Sequence, residues 1–433
     1  MSGTGEQTPV PVADTGSEGQ GLEPGQVPGA AVAAVPQEPG VQRFLRELLT
    51  GNLLLSVLAV LVSLVVGAVL IAVTNPQVLA ASGYFFSRPG DTIAAIVSAV
   101  GGAYGSLFQG GVLDLTASDP LSALRPLLGS LGFATPLIAA GLGIAVGFRT
   151  GLFNIGGQGQ ILIGGAVAGW IGFALPLPAG LHLIAAVLGG LLGGALWAGI
   201  VGVLKARTGA HEVIVTIMLN YVAFYLLDYL LHTPVLQAPG SSNPKSPAEL
   251  PTAVLPSLFG LPVNLGFLLA IVAVLASSWL LSRSSLGFKL RAVGENPAAA
   301  RTAGIDVRRM TIVAMVVSGL LVGLAGAYQV LGQSTGGFGN DFDASIGFNA
   351  ITVALLGRSR PWGVFWAGIL FGVFQNGGYT MQAANGIDIN IVSVVQSLIV
   401  LFIAAPPLVR TIFRLPAPGR PRRRRSKNEV RSA

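Results

Sequence analysis

Long apolar runs constrain this chain most, because each is long enough to cross a lipid bilayer. The clearest covers residues 53–73 and reads LLLSVLAVLVSLVVGAVLIAV. A hydrocarbon core of ~30 Å needs about 20 such residues in an α-helix. Only 10% of the sequence is charged, whereas soluble domains carry roughly 25%. The pattern therefore predicts an all-α polytopic membrane protein.

About ten segments are predicted to cross the membrane. They are residues 53–73, 127–148, 152–174, 181–204, 213–232, 262–282, 310–332, 345–357, 361–380 and 391–409. The segment 345–357 is too short for a straight helix that crosses, so we expect a broken or extended element buried inside the bundle. The Gly- and Ala-rich segment 92–112 is expected to lie at the surface or to insert partway, and it is not counted as a span.

The basic residues predict the orientation of these spans, because cytoplasmic loops are enriched in Lys and Arg. With the N-terminus inside, the inside loops contain Arg149, Lys205, Arg207, Arg283, Lys289, Arg291, Arg301, Arg308, Arg309, Arg358 and Arg360. The outside loops then contain only Arg88, Arg125 and Lys245. Both termini are therefore expected in the cytoplasm. Counting 92–112 as an eleventh span would invert every later loop.

Two tails flank the predicted transmembrane domain, which covers residues 43–409. Residues 1–42 carry five acids and many Gly and Pro residues, a composition typical of a disordered tail. Residues 410–433 contain nine basic side chains. Nucleic-acid binding is one interpretation of that cluster. An anchor on anionic membrane lipid is favoured, because the cluster directly follows an apolar span, and no nucleic-acid partner is expected.

The sequence lacks the residues that most catalytic sites require. The sequence has no cysteine, only three histidines, no phosphate-binding G-x-x-x-x-G-K-[ST] loop and no H-E-x-x-H motif. Asp228 is the one acid well within a predicted span, and Glu212 lies at a span entrance. We therefore expect no enzyme activity, no cofactor and no metal site, and we expect any driving energy to come from another polypeptide. A sodium site built from backbone carbonyls stays open.

The loop 283–309 is predicted to hold a short capped helix on the cytoplasmic face. Asn296 is a good N-cap residue, Pro297 suits the first helical position, and three alanines follow. Gly304 can adopt the left-handed conformation that ends a helix. These signals predict a helix over 297–303. Simple loop closure would explain it, but docking to a cytoplasmic partner is favoured.

Polar side chains recur within the apolar segments. They are Asn154, Gln158, Gln160, Asn220, Tyr221, Gln329, Gln333, Asn349, Gln375, Asn376 and Gln396. Hydrogen bonds between helices explain more than half of such residues. The others could line a path, and neutral amides with a phenol suit an uncharged solute that bears hydroxyl and amide groups. A sugar or a nucleoside is therefore favoured over phosphate or a metal ion.

Several segments together resemble one transporter family. They are GLFNIGGQGQILIGG (151–165), HEVIVTIMLNYVAFYLL (211–227), LGFKLRAVGENPAAARTAGIDVRR (286–309), SGLLVGLAGA (318–327) and GFNAITVALLGRSRPWGVFWAGILFG (347–372). They are similar to the membrane subunits of ABC importers for nucleosides and simple sugars, within the group that includes branched-chain amino acid permeases. The similarity runs from about residue 125 to residue 405.

The resemblance implies a ten-span type II-like permease in a bacterial cell membrane. It also implies a second permease subunit, two cytoplasmic ATP-binding subunits and an extracytoplasmic solute-binding lipoprotein. The segment 294–304 corresponds to the family's coupling helix, which assigns ATPase coupling to Gly294, Glu295, Asn296, Pro297, Ala298, Ala299, Ala300, Arg301 and Gly304.

The substrate path is expected at a small set of polar residues. By resemblance, these include Asn154, Gln158 and Gln160 in the GLFNIG–GQ segment and Asn220 and Tyr221 in the LNY motif. Asn349 and Asn376 are added from the polar positions in the apolar segments. Two departures from the family pattern stand out: Gln158 occupies a position where Glu is common, and His211 one where Asn is common.

Three alternatives remain at this point. A branched-chain amino acid permease would share the architecture but would need partners for a zwitterion's two charges. A self-sufficient secondary transporter would need no ATPase. A membrane protein that tethers nucleic acid would use the Arg-rich tail.

Overall fold

The computed structural model describes residues 52–258 and 260–414, and helices dominate these residues. The tail predicted at 1–42 and the basic tail from residue 415 onward lie outside them. Fifteen α-helices are formed in this part of the chain. They are α1 (Asn52–Thr74), α2 (Pro76–Ser82), α3 (Pro89–Gly111), α4 (Pro120–Arg149), α5 (Gly157–Ala174), α6 (Leu181–Thr208), α7 (Glu212–Leu231), α8 (Leu265–Arg283), α9 (Ser285–Glu295), α10 (Pro297–Thr302), α11 (Val307–Tyr328), α12 (Ile346–Leu356), α13 (Pro361–Asn385), α14 (Asn390–Ala404) and α15 (Pro406–Ile412). The all-α prediction is confirmed.

Fewer helices than ten qualify as membrane spans by length and composition. Among the described residues seven do, or eight if the pair α14 and α15, bent by 94° at Ala405, counts as one span. The segment predicted at 152–174 begins as a helix only at Gly157. Both α5 and α13 are long, but their amide side chains, such as Gln158 and Asn376, lower their apolar character. The helix α12 has only 11 residues, as its length in the sequence predicted.

Two crossings of the bundle combine an irregular segment with a helix. Residues 150–156 are non-helical and lead into α5, and residues 334–345 are non-helical and lead into α12. The two helices begin side by side, since a Cβ built on Gly347 would lie 2.2 Å from the backbone nitrogen of Gln158. Backbone without a helix is tolerated at membrane depth where protein covers it.

The helices α5 and α12 run in opposite directions. At the end of α12, the Ser359 carbonyl accepts a hydrogen bond from Arg149 Nε at 3.0 Å, so α12 leads to the end of the bundle that carries Arg149. We call this the basic end. At the end of α5, the Gly172 carbonyl accepts from the backbone N–H of Leu250, at 3.1 Å, in the connector 232–264. The connector lies at the opposite end, so α5 points away from α12.

Helix α3 enters the bundle partway, and the chain that follows it returns to the end at which α3 entered. Its first turn is tied to α2, because Thr92 Oγ1 donates to the Ala81 carbonyl at 2.8 Å. Its last carbonyl, on Gly111, accepts from Ser130 Oγ at 2.7 Å, which lies eleven positions into α4. The chain then climbs back to the start of α4, where the Asp114 N–H donates to Ala123. Length and composition alone would let α3 span a membrane, but these contacts fit the expected partial insertion.

A seam of glycines brings α6 and α11 into backbone contact. A Cβ on Gly194 would lie 2.3 Å from the Gly319 carbonyl oxygen and 2.6 Å from the Gly323 Cα. A Cβ on Gly164 of α5 would lie 2.8 Å from the same Gly323 Cα. Helices in lipid associate through such close packing, which only small residues permit. Gly164, Gly194, Gly319 and Gly323 therefore hold α5, α6 and α11 together by close backbone packing.

Gly194→Val should destabilise the bundle by about 1–3 kcal/mol, because the new methyl groups meet backbone atoms that cannot rotate away. Gly199→Val is the matched control. It lies on the same helix, and its Cβ would be 3.4 Å from a Val316 side-chain carbon, an ordinary contact. Thermal unfolding of the purified variants in detergent checks this. Equal unfolding temperatures for the two variants would show that the seam does not hold α6 to α11.

Candidate functional site

A groove of about 550 Å³ opens where the beginning of α5 meets α7 and α12. Its lining combines aromatic rings, amides and aliphatic side chains, and no charged side chain. The lining residues are Ile155, Gln158, Ile217, Asn220, Tyr221, Phe224, Tyr225 and Phe348. Three of the predicted path residues therefore lie together: Gln158, Asn220 and Tyr221.

The aromatic wall of the groove comes from the helical repeat of α7. Tyr221 and Tyr225 are one turn apart, so both project from the same face of the helix. They are 59% and 66% exposed, and Phe348, from the first turn of α12, is 67% exposed. Phe224 packs edge-on against Tyr225, with ring centroids 5.5 Å apart. The groove therefore presents several ring faces that the described residues leave uncovered.

Asn220 fastens α7 to the irregular segment 150–156. Its Oδ1 accepts from the backbone N–H of Gly159 at 2.9 Å, and its Nδ2 donates to the Ile155 carbonyl at 3.0 Å. Gly159 lies in the first turn of α5, whose N–H groups have no partner within the helix. Asn220 therefore caps α5 from another helix and also fixes one wall of the groove.

Asn154 and Gln160 form a buried network behind the groove. The two amides exchange hydrogen bonds of 3.2 and 3.1 Å, and Asn154 Nδ2 also donates to Ser318 Oγ at 2.9 Å. Asn154 Oδ1 accepts in addition from the Gly156 N–H. Both side chains are almost fully buried. They hold the irregular segment against α11, and a direct role in the path stays a prediction for them.

The last two predicted path residues lie away from this groove. Asn349 lines a second cavity of about 210 Å³, together with Gln329, Gln333, Gln375 and Tyr379. Asn376 Nδ2 donates to the carbonyls of Gly110 and Pro126, at 2.8 and 2.9 Å. Asn376 thus joins the inserted end of α3 to α4. Its role in transport also stays a prediction.

Sequence reasoning missed Asp343, Phe348 and Tyr225. Asp343 is 5% exposed, its Oδ2 has no hydrogen-bond partner among the described residues, and its carboxyl group interacts with the Gln158 side chain. It escaped notice because it lies before α12 rather than in an apolar run. The tyrosine pair at positions 221 and 225 carried a signal, because its spacing is that of one helical turn.

The short helix in the loop 283–309 forms as its capping signals predicted. Asn296 Oδ1 accepts from the N–H groups of Ala298 and Ala299, both at 3.0 Å. Helix α10 covers Pro297–Thr302, and Gly304 follows it with φ +78°. Ala300 is buried, whereas Glu295 and Ala299 are exposed. An additional helix, α9, precedes α10 and was not predicted.

Gly294 links this loop to the irregular segment of the site. A Cβ on Gly294 would lie 2.2 Å from the Arg149 carbonyl oxygen, so the end of α9 touches the end of α4. Residues 150–156 start at that point and lead to Asn154 and the groove. Seven residues of chain, 150–156, therefore separate the contact between α4 and α9 from the groove.

Comparisons with known proteins agree with this architecture. The family described as branched-chain amino acid transport system / permease component matches residues 127–404. The guanosine ABC transporter permease of Bacillus subtilis is 37% identical over 281 residues, which are 64% of this chain and 81% of the relative. The glucose ABC transporter permease of Haloferax volcanii is 35% identical, over 70% and 79% of the two chains. A nucleoside ABC transporter permease of Lactococcus lactis is 34% identical, over 68% and 83%. No solved structure matches this chain.

The connector 232–264 packs on the irregular segment 334–345 at the end opposite Arg149. The Glu249 N–H donates to the Thr335 carbonyl at 2.9 Å, and the Ser246 N–H to the Phe338 carbonyl at 3.0 Å. The connector therefore holds the irregular segment that leads to α12. The Glu249 carboxyl group is 6% exposed, and neither oxygen has a partner among the described residues. Burial raises the pKa of Glu249 to about 8.

The folded protein should lose stability as pH rises through about 8, because Glu249 is then forced to ionise in its buried position. Because the pKa of Glu249 is raised in the folded protein, the protonated carboxyl group contributes its full stabilisation below the ordinary pKa of 4.5. This stabilisation is lost as pH rises from there through about 8. Since one pKa unit is about 1.4 kcal/mol, the loss is on the order of a few kcal/mol.

Unfolding temperatures measured between about pH 5 and pH 9 test this. Glu249→Gln should remove most of the alkaline loss, whereas Asp388→Asn, at an exposed acid, should leave it unchanged. A wild-type pH profile that Glu249→Gln does not alter would contradict the assignment.

Proposed function

The chain belongs to the permease family of the branched-chain amino acid transport systems, and we propose that it is the membrane subunit of an ABC importer that carries nucleosides. It is a multi-pass membrane transport component rather than an enzyme. The proposal extends this to a substrate class, to partners and to an orientation in the membrane.

The groove of aromatic rings and neutral amides is the observation that supports nucleosides. A nucleobase is a flat π-system, and Tyr221, Tyr225 and Phe348 offer exposed ring faces for stacking, which is worth about 1–3 kcal/mol per base in other proteins. Gln158 supplies an amide that suits hydroxyl and base edges, and Asn220, held by Gly159 and Ile155, fixes the wall beside it. Relatives include guanosine and nucleoside permeases, in agreement with this substrate class.

Simple sugars are the second candidate. The amides of the groove could serve sugar hydroxyl groups as well, and one relative is a glucose permease. The several ring faces favour the nucleoside. A branched-chain amino acid fits less well, because its ammonium and carboxylate would meet no charged side chain in the groove lining.

A second permease subunit is proposed to close the open side of the groove. The exposed apolar side chains of α7 include Ile214, Met218, Val222 and Tyr225, which recur at helical spacing. The groove has one wall on this helix, so a facing permease would convert it into a channel between the two subunits.

The driving energy is proposed to come from ATP-binding subunits at the basic end. The exposed side of α10 faces outward there, and Gly294 connects the same loop to the irregular segment of the site. In this arrangement the basic end is cytoplasmic, and a solute-binding lipoprotein delivers substrate at the connector 232–264. A secondary transporter would need none of these partners.

Tyr225→Ala and Phe348→Ala should each raise the apparent KM for nucleoside uptake about tenfold or more, because each removes a stacking face. Tyr225→Phe should retain most of the affinity. Tyr229→Ala is the matched control, because Tyr229 is equally exposed on α7 but does not line the groove. The assay is uptake of labelled guanosine by membrane vesicles that contain the complete transporter. Uptake of glucose but of no nucleoside would reject the substrate proposal.

Ala299→Trp should uncouple ATP hydrolysis from uptake, because a bulky ring on the exposed face of α10 keeps a partner from seating. Uptake is expected to fall at least tenfold while the permease still assembles in the membrane. Thr208→Trp, at an exposed position on the same end of the bundle, should have little effect. ATP-dependent uptake and ATPase activity of the reconstituted complex are the measurements. Full coupling in Ala299→Trp would remove the docking role from this helix.

A further inference from the structure

A second groove, separate from the proposed path, lies between α1, α13 and α14. Its volume is about 380 Å³. Every residue of its lining is apolar: Val57, Val60, Leu61, Leu356, Gly363, Trp366, Ala367, Leu370 and Ile403. It lies toward the basic end, because Leu356 and Gly363 flank the turn whose Ser359 carbonyl binds Arg149. The groove is thus an apolar furrow on the lipid-facing side, near one membrane surface.

Two tryptophans mark the level of that membrane surface. Trp362 and Trp366 are 48% and 65% exposed, and Phe365 packs edge-on against both. Tryptophan is enriched where hydrocarbon meets headgroups, since its ring is apolar and its N–H needs a polar partner. Trp366 also lines the groove. The two exposed tryptophans therefore favour a position of this end of the groove at the depth where acyl chains join their headgroups.

Two arginines stand at this end of the groove, and no acid within the described residues pairs with them. Arg358 and Arg360 are exposed, and their guanidinium groups have no hydrogen bond or ion pair among the described residues. The sequence has no Asp or Glu from residue 344 to residue 387. Guanidinium groups match phosphate geometry and bind it through paired hydrogen bonds. The turn 357–360 is therefore suited to an anionic headgroup.

The turn that carries these arginines is held in an unusual conformation. Arg358 and Ser359 have φ of 53° and 51°, in the left-handed region that side chains other than glycine rarely adopt. Four hydrogen bonds hold it: from the N–H groups of Arg358, Ser359 and Arg360 to the carbonyls of Leu355, Ala354 and Gly357, and from Arg149 Nε to the Ser359 carbonyl. Both arginines are thereby presented from a fixed backbone, beside the groove rather than along a flexible loop.

We propose that this groove and turn bind one anionic phospholipid. An acyl chain occupies the apolar groove, and the phosphate lies at Arg358 and Arg360 with Trp366 at the glycerol level. The apolar lining alone would take any acyl chain, so the two arginines supply the selectivity for a headgroup with net negative charge. The bound lipid joins α1 and α14 to the ends of α12 and α13.

Lipid retention and thermal stability test the proposal. The full-length permease is purified in detergent with phosphatidylcholine alone or with added phosphatidylglycerol, and bound lipid is counted by native mass spectrometry. We expect retained phosphatidylglycerol and a higher unfolding temperature. Arg358→Gln combined with Arg360→Gln should retain one phosphatidylglycerol fewer than the wild type, whatever the basic tail 410–433 holds, and should at least halve the temperature gain.

Two further variants separate the groove from charge in general. Leu61→Trp fills the groove and keeps both arginines, so it should also lose the lipid. Arg308→Gln with Arg309→Gln removes two exposed charges elsewhere on the basic end and should keep it. Equal retention in all variants would overturn the proposal, as would equal protection by phosphatidylcholine or by inorganic phosphate. Loss of ATPase binding in the double arginine variant, with lipid retained, would assign the turn to a protein partner instead.

Discussion

The contact between the N-terminal ends of α5 and α12 is the constraint on which the rest of the site depends. Two stretches without helical hydrogen bonds lie inside a bundle, and lipid offers their backbone no partner. Side chains from other helices supply those partners. Asn220 caps the first turn of α5, and Asn154 with Gln160 and Ser318 ties residues 150–156 to α11. Because these amides are committed to the backbone, the groove in front of them has a fixed shape.

Proline creates a similar demand in α4. Pro136 has no N–H, so the carbonyl of Gly132 lacks its helical donor. Tyr328 Oη donates to this Gly132 carbonyl instead, at 3.0 Å, and Gln333 Nε2 donates to the Tyr328 hydroxyl. The π-helical turn Gln329–Gln333 directly follows Tyr328. Many polar side chains of this bundle thus satisfy backbone groups that lack a helical hydrogen-bond partner, and few polar side chains are left to face the groove.

Sequence patterns predicted the elements whose causes are local. Apolar runs located the long helices, and the capping signals around Asn296 and Gly304 located α10 to within a residue. Residues 152–156 fall within the predicted span 152–174, because Leu152, Phe153 and Ile155 are apolar. The hydrogen bonds that hold this stretch come from distant residues such as Ser318 and Asn220. For the same reason the sequence did not predict a role for Asp343, because its burial results from tertiary packing. Gln158, Asn220 and Tyr221 lie together in the groove, whereas Asn349 and Asn376 lie in other parts of the bundle.

The opposed directions of the two broken crossings bear on which way a solute travels. At each end of the bundle, one irregular segment leads toward the interior and one helix leads away from it. The two broken crossings therefore do not by themselves favour transport in one direction. A solute in the groove faces similar elements on either side. Vectorial transport therefore has to be imposed by partner subunits, and the proposed binding of different partners at the two ends would supply that asymmetry.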